Sequence, residues 1–195
     1  MRLQTKLVSA VIFCGMLMPL CSAAPAPSTK WVPDRAHLAK LAPAARISSY
    51  LIQPPRGYTF NTRPGPGGTY ADAWVGPTHA DGTRSYLMVV FLVPSAGDRQ
   101  NDTLAQGSAK MLAGVQRRRK NWKQSPTQRG SVHGITFLRT YWQGTDIASG
   151  KPMYGFSYFA KYGNTFLQIS SQDVVPYQTR DLPIAEASAL TFRKQ

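Results

Sequence analysis

The sequence predicts an α+β domain, a central antiparallel β-sheet with helices packed on it, and three observations carry that expectation. Ser85 to Val93, SYLMVVFLV, is an almost unbroken apolar run of β-branched and aromatic residues, the composition of a strand buried on both faces. Between Asn101 and Asn121 the apolar residues Leu104, Met111, Leu112 and Val115 fall, with Ser108, at spacings of four, seven, eight and eleven, one stripe of a 3.6-residue period. On either side of that helix lie short β-rich segments cut by Pro and Gly, and runs of strands grouped apart from helices are the α+β pattern.

In chain order, Ala24 to Ala45 is rich in Ala and Pro and reads as a tether with at most one short helical piece, Asp34 to Leu41. Strands are expected at Ser48–Gln53, Gly57–Asn61 and Thr69–Val75, separated by Pro-Pro, Arg-Pro-Gly-Pro-Gly-Gly and Gly-Pro, which are turn signals. The helix over 101–121 starts at Asn101, Asp102 and Thr103, whose side-chain oxygens are good N-caps. Strands follow at Ile135–Trp142, Met153–Lys161 and Thr165–Ser171, the last two joined by a tight hairpin with Gly163 and Asn164 at positions of positive φ. Pro183 to Phe192 is expected to be a closing helix with Pro183 in its first turn.

The amino terminus sets the expected compartment. Arg2 and Lys6 precede a 14-residue apolar run, Leu7 to Leu20, and small residues follow at Ser22, Ala23 and Ala24. That is the layout of a secretory signal peptide, residues 1–23, cleaved after Ala23, and the run is shorter than the roughly 20 residues that span a bilayer. Cys21 admits a lipoprotein reading, but Met18, Pro19 and Leu20 stand where small residues normally precede a lipid-modified cysteine. A periplasmic or secreted protein follows, with no transmembrane segment after cleavage. Both cysteines, Cys14 and Cys21, lie in the leader, so the mature chain holds together through its core alone. About 150–170 residues suffice for one such domain, here 46–195.

Charge is the other bound. Without Arg2 and Lys6 the chain keeps 21 basic against 9 acidic residues, a net charge of +12; such a balance favours anionic polymers and surfaces and keeps a monomer soluble. The densest run is RRRKNWK. A helix continuing to Trp122 would turn the indole toward the leucine stripe and leave the cations around the helix end, where they meet the negative end of the helix dipole. Two readings stay open: a solvated helix terminus, or an anion-contact site made of Arg117, Arg118, Arg119, Lys120 and Lys123. Nucleic acid is the weakest version of the second, because no recognition motif is present.

Chemistry is sparse. His37, His79 and His133 form no metal-ligand spacing; His79 with Asp81 in GPTHADG reads as a turn. There is no nucleophile elbow and no exported thiol. Gly65-Pro66-Gly67-Gly68 lacks the Lys-Ser/Thr of a phosphate loop, and Glu186 with eight scattered aspartates shows no carboxylate pair. No catalytic, cofactor-binding or metal-ligating residue is expected. Tyr141, Trp142, Tyr154, Phe156, Tyr158, Phe159, Tyr162 and Phe166 crowd the second β region, with Tyr154, Phe156 and Tyr158 on one face at period two, either as packing or as a Tyr-rich groove for an apolar or glycan ligand.

The stretch GSVHGITFLRTYWQGTDIASGKPMYGFSYFAKYGNTFLQISSQD, with a helix before it and Ile47, Tyr50, Ile52, Pro55, Gly57 and Tyr58 opening the domain, resembles the superfamily that unites the extrinsic PsbP subunit of photosystem II, the yeast Ran-binding factor Mog and the enterobacterial periplasmic protein DcrB. The resemblance spans Arg46 to the end. It implies an α/β/α sandwich and a non-catalytic accessory or binding role toward a protein or envelope partner; no functional residue carries over, and PsbP's metal-binding histidines match none of His37, His79 and His133. An electrostatic binder of anionic envelope polymers or lipid headgroups, and a cryptic hydrolase, are the alternatives.

Overall fold

The computed structural model describes residues 29–64, 70–93 and 101–195. The leader with Cys14 and Cys21, the first tether residues and the Gly65–Gly68 loop lie outside them. Along the chain come β1 (Thr29–Lys30), α1 (Arg35–Leu38), β2 (Ala45–Ile47), β3 (Tyr50–Ile52), β4 (Thr59–Pro64), β5 (Tyr70–Thr78), β6 (Arg84–Leu92), α2 (Leu104–Gln116), β7 (Arg119–Gln124), β8 (Gln128–Val132), β9 (Ile135–Asp146), β10 (Pro152–Tyr162), β11 (Thr165–Val174), α3 (Gln178–Ala189) and β12 (Arg193–Lys194).

Nine strands form one sheet in the order β1-β8-β9-β10-β11-β6-β5-β4, with β7 also pairing β9. Every pairing in it is antiparallel except β1 with β8. The apolar run lies mostly in β6, interior between β11 and β5, but only one face is buried as expected. Ser85, Leu87 and Val89 are buried, the residues alternating with them are half-buried, and Val93 beyond the strand is exposed. Alternation along β10 assigns two cores. Phe156, Tyr158 and Ala160 join Leu167, Ile169 and the α3 residues Ala185 and Ala189 on one face, whereas Met153 and Phe159 join Trp142 and the α2 residue Leu112 on the other. Period two thus places α3 and α2 on opposite sides of the sheet, an α/β/α sandwich.

Gly155 makes the second core possible. It faces Trp142 of β9 and Gln172 of β11 across the ladders, and a Cβ there would lie 2.3 Å from the Trp142 ring and 2.6 Å from the Ser171 carbonyl oxygen. Because one obstacle is backbone, Gly155→Ala is expected to cost about 1–3 kcal/mol by overpacking, read as a lower urea midpoint at unchanged slope.

Four elements depart from the sequence expectation. α2 ends at Gln116 instead of reaching Asn121, and the basic run after it is strand β7. Strand β8 covers only the Ile135–Arg139 half of β9, so the Trp142–Asp146 half offers an unpaired ladder that 119–124 completes, with a bulge at Asn121, φ 52°. Backbone pairing there outweighs the weak helical preference of the run. Trp122 is half-buried as expected, but from a strand, stacked on Trp142 at 5.2 Å. α3 begins five residues earlier than expected, so Pro183 stands inside it; only the Thr179 carbonyl loses a helical partner, and Thr179 is exposed. In the hairpin, Gly163 takes φ 52° while Asn164 keeps negative φ. Finally, the expected tether docks at its start: β1 pairs β8 at the sheet edge, and Trp31 stacks on the Arg139 guanidinium at 4.3 Å.

Candidate functional site

The chemistry gathers at one end of the sheet, where the β5–β6 turn, the end of β11 and the start of α3 meet. The turn forms as the sequence implies: Gly82 takes φ 80°, its N–H bonds the His79 carbonyl at 3.0 Å, and Asp81 accepts from the Thr83 amide at 3.1 Å. Asp81 then pairs with Lys151 at 2.7 Å and takes no part with His79. His79, first residue of the turn, points inward.

There His79 meets two carboxylates. Its Nε2 lies 3.2 Å from each oxygen of Asp173 and 3.5 Å from Asp181 Oδ2; all three residues are buried. Asp173 comes from β11, and Asp181 from the first turn of α3, where the positive end of the helix dipole favours an anion. Arg180 holds Asp181 with both arms of its fork, Nε at 2.7 Å and Nη2 at 2.9 Å, and Nη2 also reaches His79 Nδ1 at 3.4 Å. A guanidinium can only donate, so Nδ1 accepts and Nε2 carries the proton that the carboxylates accept. Tyr177, at the N-cap of α3, lies flat on the imidazole at 4.0 Å and 13°.

Two carboxylates this close cannot both ionise cheaply. Burial raises Asp173 to about 6, with a hydrogen bond to Asp181 adding to the effect. Burial pushes Asp181 upward too, but Arg180 and the bond from Asp173 outweigh it and hold that group below its ordinary value. Asp173 is therefore the partner that takes up a proton first as pH falls toward 6. Its other fixed contact is the Val174 amide, 2.8 Å away. Nearby, Tyr58 bonds Ser85 Oγ at 2.5 Å, and burial lifts its phenol to about 12.

His79, Arg180 and Asp181 line an open cleft of about 810 Å³ whose walls also include Lys40, Arg56, Tyr58, Tyr177 and Ile184, with Asp173 bonded to His79 but outside the wall. Among the described residues, His79, Asp173 and Asp181 are also the group able to hold a metal ion, with one ligand atom from each within 4.8 Å of the others. Both imidazole nitrogens are engaged, and the nearby Ser85 hydroxyl is engaged with Tyr58.

A second, half-buried network centres on Glu186 of α3. Its Oε1 accepts from the phenols of Tyr158, at 2.7 Å, and Tyr141, and from Arg139 Nη1 at 3.3 Å. Burial first, and the adjoining carboxylate next, push Tyr158 and Tyr141 well above the ordinary tyrosine range. This ties α3 to β9 and β10.

The basic run is dispersed. Arg117, Arg118, Lys120 and Lys123 are exposed, but Arg119 is not: its side chain is 3% exposed, ion-paired to Asp146 at 2.8 Å and bonded to Gln172 at 2.9 Å. Arg119 thus leaves the set of surface contacts, because alternation on β7 turns it inward. The His79–Asp173–Asp181 group was not legible in the sequence; its members stand 94 and 8 residues apart. The one local signal is the D-x7-D spacing across the β11–α3 junction, which needs the true start of α3 to be seen.

Three solved structures share this architecture. PA94 of Pseudomonas aeruginosa, a protein of unknown function, superposes with a TM-score of 0.53 at 10% identity, covering 80% of this chain and 97% of that one. PsbP of the cyanobacterium Synechocystis, CyanoP, superposes at 0.50 and 10% identity, covering 93% and 100%. The chain has a PsbP-like fold. LpqN of Mycobacterium tuberculosis, involved in cell envelope biogenesis, carries the same PsbP-like architecture at 0.52 and 9% identity, covering 77% and 84%. No protein-family model and no curated protein sequence matches the chain. At such identities the PsbP-like likeness establishes the fold and transfers no function.

Proposed function

We propose that this chain is an exported accessory protein that binds a partner or ligand in the cleft beside His79 and performs no chemistry on it. The observation that carries this reading is the closed bonding of the cleft's floor. His79, Asp173, Asp181 and Arg180 satisfy one another, which leaves a rigid polar surface in place of a general base aimed at a nucleophile. Buried ion clusters are costly and serve specificity better than stability. Export is supported by the leader-like amino terminus, and none of the helices among the described residues is long and apolar enough to cross a membrane. One neighbour in fold, LpqN, is involved in cell envelope biogenesis, which fits a role outside the cytoplasm.

A photo-cross-linking residue placed at Ala80, on the cleft rim, should give one discrete adduct in the native envelope, and the same residue at Ala109, exposed on α2, should give none. Equal labelling at both positions, or none at Ala80, sinks the binding assignment. A hydrolase screen of the mature protein should find no turnover; activity that disappears in His79→Ala would make the protein an enzyme. Amino-terminal sequencing should begin at Ala24, and a chain still starting at Met1 in the cytoplasmic fraction would end the export reading.

A further inference from the structure

The excess positive charge is not spread evenly. Every acidic side chain among the described residues is bonded to a partner: Asp34 to the Ala36 amide, Asp72 to Thr62, Asp81 to Lys151, Asp102 to Lys110, Asp146 to Arg119, Asp173 and Asp181 to His79 and Arg180, and Glu186 to Arg139. Against that background one pocket of about 450 Å³, formed by Leu104, Ile135, Tyr162 and their neighbours, is ringed by Arg129, His133, Lys161 and Lys194, with no acidic residue in its wall among the described residues. The four come from β8, the β8–β9 turn, β10 and β12, so only the fold assembles them. Lys161 donates to the Asp102 carbonyl. Arg129, His133 and Lys194 have no carboxylate within ion-pair distance among the described residues. Lys194 stands over the Tyr162 ring at 5.4 Å, which fixes its stem beside the opening. His133 keeps φ 46°, a conformation that Gly or Asn would adopt at less cost.

We infer that this pocket is a phosphoryl-binding site, recognising a phosphate group through Arg129 and Lys194 with His133 at its rim. A compact dianion matches several convergent cations better than a singly charged carboxylate does, and a guanidinium fork pairs two phosphate oxygens at once. The pocket is separate from the His79 cleft, so it does not depend on the reading of that cleft. It also gives the chain's positive balance a definite address other than Arg117–Lys123.

Calorimetry with pyrophosphate at low salt should show 1:1 binding with a Kd below about 1 mM, weakened as salt screens the contact. The variant R129Q/K194Q should bind about tenfold or more weakly, the loss of roughly one good charged contact, while its circular dichroism and Tm stay those of the wild type, because both residues lie at the surface. R117Q/K120Q should remain within about twofold of the wild type. No saturable heat, equal binding of acetate, or an equal loss in R117Q/K120Q would overturn the inference. Sedimentation with phosphatidylcholine vesicles carrying phosphatidic acid, a phosphomonoester able to become a dianion, then separates sources: retention abolished by R129Q/K194Q assigns a lipid headgroup, and indifference to vesicles alongside pyrophosphate binding assigns a free phosphoryl ligand.

Discussion

Replacing Asp173 with Asn stabilises the protein at pH 8 and removes most of the change in its stability between pH 4 and pH 7. The sign follows from linkage. Asp173 is raised from 3.8 to about 6 in the folded chain, so between those values the folded state holds a proton that the unfolded state has released. Stability therefore falls as pH rises through this window, by an amount on the order of 3 kcal/mol, and stays at the lower value above it. Asn is the neutral isostere: its amide donates toward Asp181 as the protonated carboxyl does, and its oxygen still accepts from the Val174 amide, 2.8 Å away in the wild type. The gain at pH 8 should close by about pH 4.5, where Asp173 is protonated anyway. Asp181 has the opposite sign. Its depressed value contributes stability above the ordinary carboxylate range that is lost on acidification, so Asp181→Asn should weaken the protein at pH 7. Urea midpoints across pH 4–8 check both; a wild type that grows steadily more stable from pH 5 to pH 8 would refute the assignment of the shared proton to Asp173.

Arg119→Ala is expected to cost about 3 kcal/mol, the usual penalty for breaking a buried ion pair from one side, and Arg117→Ala or Lys120→Ala within about 0.5 kcal/mol of zero. Three neighbours in sequence thus differ severalfold in consequence. Arg119 is desolvated, which lowers its pKa against the pull of Asp146, and its guanidinium also covers Trp142 at 5.5 Å. Its loss strips the second core and leaves Asp146 without its cation. Urea denaturation of the three variants decides the matter. A cost below about 1 kcal/mol for Arg119→Ala would mean that Asp146 is well solvated without it.

Much of the architecture was written in local pattern. The apolar run at 85–93 marked an interior strand, although alternation leaves only the Leu87 and Val89 face fully buried. The stripe from Leu104 to Val115 made an amphipathic helix whatever lay beyond it, and alternation in Tyr154, Phe156 and Tyr158 divided β10 between two faces. The resemblance to PsbP rested on such features, and the fold that it implied is the fold that formed. Legibility stopped where a segment's conformation depends on a partner far along the chain. RRRKNWK has no strong preference of its own; the vacant half of β9 made it a strand, and in doing so buried Arg119.

The same limit governs the site. The sequence by itself determined which residue types were on hand: an excess of cations, eight aspartates, three histidines and no thiol after Cys21. It also determined the two helix-and-strand periodicities that build the sandwich. Only the tertiary structure decided that His79 should stand against Asp173 and Asp181, and that Arg129, His133, Lys161 and Lys194 should share one pocket. The reason is physical. Hydrophobic periodicity is set by near neighbours, whereas electrostatic encounters depend on distances in space, and a chain folded into a sheet brings together groups that its sequence keeps as much as a hundred residues apart.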